Sequence, residues 1–245
     1  MLNVSVQTNI GKMRAVNQDT VFVTCKQIGT LPNLFIVADG MGGHNGGEIA
    51  SKTAIAHFCD HIKSSTEEEM LDLLTSAAST ANIGILSLAE KDPALTGMGT
   101  TLTACTIIGN KCFIVHIGDS RAYAVTNDTI TQLTHDHSYV NEMVRAGQIT
   151  QNEAREHPKR NILTRVLGIN PKMSADGYVT HIKPDSFILL CSDGLYNMVS
   201  ENEIKNLIYS SQEPAPALVA AANAGGGTDN ISVIVIETKC KEVIP

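Results

Sequence analysis

Tryptophan is missing from this chain of 245 residues, and so are several patterns that quickly sort a protein into a class. None of its six cysteines (Cys25, Cys59, Cys105, Cys112, Cys191 and Cys240) forms a C-x-x-C pair, so a structural zinc site is not expected. Several of them sit in apolar runs, as buried free thiols do. No Lys/Arg cluster is present and the net charge is −7, which repels a phosphate backbone; nucleic acid is set aside as a partner. Residues 1–11 lack the charged and apolar regions of a secretory signal. No apolar stretch approaches the length of a membrane span, so the expected compartment is the cytoplasm, with no membrane partner. There is no H-E-x-x-H and no dense histidine cluster, which argues against a typical zinc hydrolase. Repeats, low-complexity tracts and linkers are absent; Gly225-Gly226-Gly227 is too short to be one.

What is present is an ordinary globular composition, 43% hydrophobic, long enough to bury a substantial core as one domain over residues 1–245. Residues 2–7, 34–38, 101–108, 111–117, 186–191 and 231–237 read as strands. Gly109-Asn110 suits a two-residue hairpin turn, because both residues tolerate positive φ. Helices are expected over 47–63 and 66–91, each with one apolar stripe, the second opened by a Thr66/Glu69 capping box and closed by Asp92-Pro93. Shorter helices are expected at 150–156, 200–209 and 214–223, the first two with capping boxes. The order is not a regular βαβ alternation, so the fold class is α+β: antiparallel sheets covered by helices. The more polar segment 135–168 reads as an insertion or lid.

Four aspartates share one setting. Asp39 and Asp193 follow apolar runs and precede glycine, Asp119 follows residues 113–117, and Asp229 precedes the last strand. Taken singly, each is most simply a turn. Taken together, they place carboxylates where buried strands meet tight turns, and rigid strand ends can converge on one point. Clustered carboxylates need an offsetting positive charge, and hard divalent cations prefer oxygen ligands; the ligand type argues for Mg²⁺ or Mn²⁺. The glycine-rich stretch from Gly40 to Gly47 lacks the Lys-Ser/Thr of a P-loop and reads as backbone that can approach a ligand closely. Arg14, taken alone, is a surface charge.

The motifs Arg14-x-x-Asn17-Gln18-Asp19, Val37-Ala38-Asp39-Gly40-Met41-Gly42-Gly43-His44, Gly47-Glu48-x-Ala50-Ser51, Gly99-Thr100-Thr101, Gly118-Asp119-Ser120-Arg121, Cys191-Ser192-Asp193-Gly194-Leu195 and Gly227-Thr228-Asp229-Asn230-Ile231-Ser232 occur in this order. Together they resemble the PP2C-type (PPM) protein phosphatases, in the form seen in bacterial members, and the resemblance spans almost the whole chain. Leu133-Thr134-x-Asp136-His137-Ser138 and His157-Pro158-x-x-Asn161 are similar to the family's flap region. The resemblance implies two packed antiparallel sheets flanked by helices. It also implies hydrolysis of phosphoserine and phosphothreonine in signalling proteins, by direct attack of a hydroxide bridging two metals. By motif position, Asp39 would bridge the ions and the Gly40 carbonyl would bind one. Asp193 and Asp229 would bind the other, and Asp19 would act through water. Residues matching Asp119 and Asp193 hold a third ion in bacterial members. Arg14 would grip the substrate phosphate, so Arg14 and Asp39 are the catalytic pair. Some eukaryotic members carry a histidine general acid where this chain has Met41; His44 reads as structural. A partner Ser/Thr kinase is suggested only by bacterial relatives. A catalytically dead scaffold and a phosphatase for small metabolites are the competing readings, the first disfavoured because every metal aspartate is present.

Overall fold

The computed structural model describes residues 2–43 and 46–238, so His44 and Cys240 lie outside the described residues. Two antiparallel sheets stack face to face. One has the order β1 (Asn3–Asn9), β11 (Ile231–Thr238), β10 (Ser186–Cys191), β7 (Arg121–Val125), β8 (Ile130–Gln132). The other has the order β2 (Asp19–Thr24), β3 (Leu34–Met41), β5 (Leu102–Ile108), β6 (Lys111–Ile117), β9 (Asp176–His181), with the short β4 (Gly99–Thr100) on the end of β3.

Period-two alternation explains the layers. In β3, Phe35 and Val37 meet Ile188, Leu190, Ile234 and Ile236 of the opposite sheet. Leu34, Ile36 and Ala38 face the other way, into α1 (Gly46–Ser64) and α2 (Met70–Lys91). On the far side Val233 and Val235 of β11 pack on α5 (Asp193–Tyr196), α6 (Glu201–Ser210) and α7 (Pro214–Ala224). The same alternation puts Asp39 on the face of Phe35 and Val37, at the rim of the core between the sheets. The sequence expectation of helix-covered antiparallel sheets holds.

Several local expectations change. Asp39 does not end its strand; Gly40 and Met41 continue it by pairing with Thr100 and Gly99. Helix α2 starts at Met70, and the Thr66/Glu69 capping box does not form. Ser65 Oγ accepts the Glu67 N–H at 3.1 Å instead, and the Glu67 carboxylate accepts from Ser76 Oγ. Asp92 ends α2 as expected and caps a 3-10 turn at Pro93 by accepting from the Ala94 N–H. Helix α2 is also, contrary to the sequence reading, long and apolar enough to cross a membrane; here Leu73, Leu74, Ala77, Ala78, Ala81 and Ile85 bury its apolar face against α1 and the sheet of β6 and β9. The Gly109-Asn110 hairpin forms with positive φ at Gly109 only, the pattern of a turn that needs glycine first. Thr150 and Glu153 make the full capping box of α4 (Gln151–Glu156), and Ser200 caps α6.

Between β8 and β9 the chain leaves the sandwich, forms α3 (Tyr139–Arg145) and α4, and returns along the sheet rim. Leu167 exchanges backbone hydrogen bonds with Thr100, and Thr164 donates to the His137 carbonyl. Asn82 of α2, fully buried, receives the Gly168 N–H at 2.7 Å and donates to the Asn170 carbonyl at 2.9 Å.

Candidate metal centre and active site

A cleft of about 730 Å³ opens at the end of the sandwich. Arg14, Asp39, Gly40, Asp119, Asp193 and Asp229 line one side and residues 161–174 the other. Asp19 lies behind this surface. All seven residues singled out by sequence therefore gather in one place, drawn from both sheets.

Asp19 and Asp39 are direct partners across β2 and β3. Opposed residues of an antiparallel pair share a face with their Cβ atoms about 5 Å apart, and like charges so placed repel. Asp19 is buried. Its Oδ2 accepts from Ser192 Oγ at 2.7 Å, and its Oδ1 has no hydrogen-bond partner among the described residues. Burial pushes its carboxyl up to about 6, against the pull of Ser192. The half-buried Asp39 is raised well above the ordinary carboxylate value by its surroundings and then by the charges of Asp19, Asp193, Asp119 and Asp229. Its backbone is fixed by Thr101, whose Oγ1 accepts the Asp39 N–H, and by Thr100 Oγ1, which donates to the Asp39 carbonyl. Gly40 is required: a Cβ there would collide with the Gly47 carbonyl at the start of α1 and with the Gln18 carbonyl.

Asp193 opens α5 rather than ending β10, and its Oδ2 accepts from Asn197 Nδ2 at 3.1 Å. Its Oδ1 is buried without a partner among the described residues. Burial and then the charges of Asp119, Asp229 and Asp19 raise it well above the usual range. Asp119 occupies the turn between β6 and β7; burial and Asp136 push it up to about 7, with Arg121 pulling it back. Asp229 precedes β11, and its Oδ2 takes the Arg14 guanidinium at 2.7 Å. Arg14 is thus in the site, half exposed, and the hydrogen bond to Asp229 raises its already high pKa.

Crowded carboxylates held above their usual pKa, two of them with orphaned oxygens, are what a cation site requires. Among the described residues no three His, Cys, Asp or Glu side chains close into a ready-made cage. A cup of separate carboxylate oxygens with the Gly40 carbonyl suits hard ions that keep much of their water. The donor set fits Mg²⁺ or Mn²⁺.

Other contributors carried no signal beyond their presence in motifs. Asn230 accepts the Gln18 N–H through Oδ1 and donates to the Ile10 and Val16 carbonyls, which shapes the loop bearing Arg14. Arg121 makes a buried two-point pair with Asp136, lies 3.6 Å over the Tyr196 ring and thereby sets Tyr196, whose hydroxyl donates to the Asp119 carbonyl. The buried His137 accepts the Gly118 N–H at 3.1 Å, which leaves its Nε2 proton for Asp176 at 3.1 Å. Asp176 also holds Arg165 of the cleft wall at 2.7 and 3.1 Å. No sequence pattern pointed to Asp176 or Asn82.

Comparison with known proteins gives a consistent picture. The family model for protein phosphatase 2C matches residues 11–215. The serine/threonine phosphatase stp of Listeria welshimeri is 38% identical over 243 residues, covering 96% of each chain. The Streptococcus agalactiae serine/threonine phosphatase structure superposes with a TM-score of 0.90 at 33% identity, covering 98% of this chain and 100% of that one. The catalytic domain of the serine/threonine protein phosphatase PstP, solved in complex with two manganese ions, gives 0.85 at 33% identity over 98% and 99%.

Proposed function

The chain belongs to the protein phosphatase 2C family and is a metal-dependent serine/threonine phosphatase; from that premise we propose how its own residues divide the work. The observation that carries the assignment is the opposition of Asp19, just behind the cleft, and Asp39, which lines it with Asp119, Asp193 and Asp229, leaving orphaned oxygens on Asp19 and Asp193. Asp39 and the Gly40 carbonyl would hold one core ion and Asp193 with Asp229 the other, with Asp39 shared and Asp19 acting through water. Asp119 and Asp193 would hold a third. Mn²⁺ is favoured over Mg²⁺ by the manganese found in the PstP relative. When bound, two such ions make hydroxide available near neutral pH for in-line attack on phosphorus.

Arg14 orients the phosphate with a planar fork of donors that fits two of its oxygens. Its pairing with Asp229 holds it at the cleft until a phosphate competes for it. Ser192, Thr100, Thr101 and Asn230 keep the carboxylates and the Arg14 loop in place before substrate arrives. Residues 135–168 serve as a flap within the single domain. The substrates are phosphorylated proteins in the cytoplasm, with a Ser/Thr kinase as the opposing enzyme, and neither nucleic acid nor membrane is a partner.

Turnover of p-nitrophenyl phosphate and of a phosphothreonine peptide with added Mn²⁺, with and without EDTA, tests this reading. Metal-dependent hydrolysis of both is expected. Full turnover after exhaustive chelation, or activity with Zn²⁺ only, would sink the metal assignment. Hydrolysis of neither would leave a binding scaffold as the better description.

A further inference from the structure

The aspartate cup accounts for one side of the cleft; the other side has chemistry that phosphate hydrolysis does not use. Large apolar side chains that reach the surface are few, and three of the ten among the described residues, Met41, Ile162 and Ile169, line this single cleft. Ile162 and Ile169 are each about half exposed, at 49% and 48%. Met173, partly buried, and Val166, largely buried, also line the cleft. The wall also carries two cations, but Arg165 is spent on a two-point pair with Asp176, which leaves Lys172. The backbone beneath is pinned through Leu167 to Thr100 and through Gly168 and Asn170 to Asn82, so the apolar groups are presented on a fixed surface. A cleft of about 730 Å³ has room for much more than one phosphorylated side chain. An apolar surface of this kind, opposite a few convergent polar groups, marks a place where an apolar group of a ligand is covered.

Resting on the phosphatase assignment, we propose that this wall selects substrates. The phosphoprotein segments turned over best carry an aliphatic side chain within about two residues of the phosphorylated Ser or Thr, seated against Ile162, Ile169 and Met173 while the phosphate lies in the aspartate cup. Acidic segments are not the preferred class: Asp176 already neutralises Arg165, and Lys172 is a single cation on a wall of apolar side chains.

Three phosphothreonine peptides, identical except for Leu, Asp or Lys in the two flanking positions, test this alongside p-nitrophenyl phosphate. Wild-type enzyme should favour the Leu peptide by about tenfold in kcat/KM, the discrimination that a modest apolar contact supplies. Ile162→Ser and Ile169→Ser, made separately, should each erode that preference through KM while leaving p-nitrophenyl phosphate turnover within about twofold. The wild-type series decides even if one variant fails to fold: equal rates on the three peptides, or a preference for Asp or Lys, overturns the proposal. A Leu preference that survives both substitutions also overturns it, because the wall would not be its source. Failure on all peptides and on p-nitrophenyl phosphate would strike the phosphatase assignment instead.

Discussion

Asp39 lies in β3 of one sheet and Asp229 in the loop that leads into β11 of the other, yet each answers for the same negative cup. Asp39→Asn and Asp229→Asn remove a charge and a ligand oxygen without changing shape, so each should nearly abolish turnover at saturating Mn²⁺ and weaken Mn²⁺ binding measured by calorimetry. Wild-type rates in either would remove that residue from the metal set. Asp119→Ala should keep two ions and lower turnover; a crystal of this variant holding three ions would refute its role at the outer site. Arg14→Ala should cost roughly tenfold to a hundredfold in kcat/KM, the value of a charge-assisted contact. Arg14→Lys should regain only part, since an ammonium makes no planar two-point contact. Unchanged kcat/KM in Arg14→Ala would return Arg14 to the role of a surface charge. The pH dependence follows from burial. With Asp19 held up to about 6 and Asp119 up to about 7 from the usual 3.8, the metal-free native protein keeps protons that the unfolded chain has released. Stability therefore falls as pH rises through about 4 to 7. The buried His116, lowered to about 3 chiefly by desolvation, contributes the opposite slope below its ordinary 6.5. Melting of EDTA-treated protein between pH 6.5 and 8 isolates the carboxylates: Tm should decline there, and saturating Mn²⁺ should remove the decline. A flat metal-free profile would show that the carboxylates are not crowded in solution.

At the scale of elements, the flap depends on one buried amide. Asn82 satisfies both Gly168 and Asn170 from α2, so Asn82→Ala leaves those backbone groups without partners at a cost of about 1–3 kcal/mol. Hydrogen exchange over residues 163–170 should accelerate, and phosphopeptide turnover should fall more than p-nitrophenyl phosphate turnover. Equal losses on both would mean that Asn82 supports the core rather than the flap. Much of the fold was legible because its strands are apolar and regular; 186–191 and 111–117 coincide with β10 and β6. Strands β2, β8 and β9 were not, because each carries polar residues on a half-exposed face, and β7 was not, because it is a short run of five that follows a turn directly and owes its place to β10. At the site, aspartates before glycine were readable as turns with a shared setting. Arg165 and Asp176 were not, and His137 was visible only as a motif member, because their meaning lies in contacts 11 and 39 positions apart that no local spacing encodes.

At the scale of the molecule, the cup exists only where the two sheets meet, with Asp19 and Asp39 on one and Asp193 and Asp229 entering from the other. Ions bound there join the sheets, so Tm should climb with Mn²⁺ concentration as binding to the native state alone requires. A Tm indifferent to Mn²⁺ would place the ions outside the junction. The register of β1 on β11, from Asn3 opposite Glu237 to Asn9 opposite Ile231, has a further consequence in time. The first strand must wait for the last, and Arg14 must wait for Asp229, 215 positions later. At the usual pace of translation that is a delay of roughly 10–40 s. By the end of that interval the nascent chain has made Arg14 and four of the five site aspartates, but not Asp229, which completes the cup. The catalyst is switched on only once β11 has been made, and a ribosome stalled upstream of β11 would carry a chain without activity.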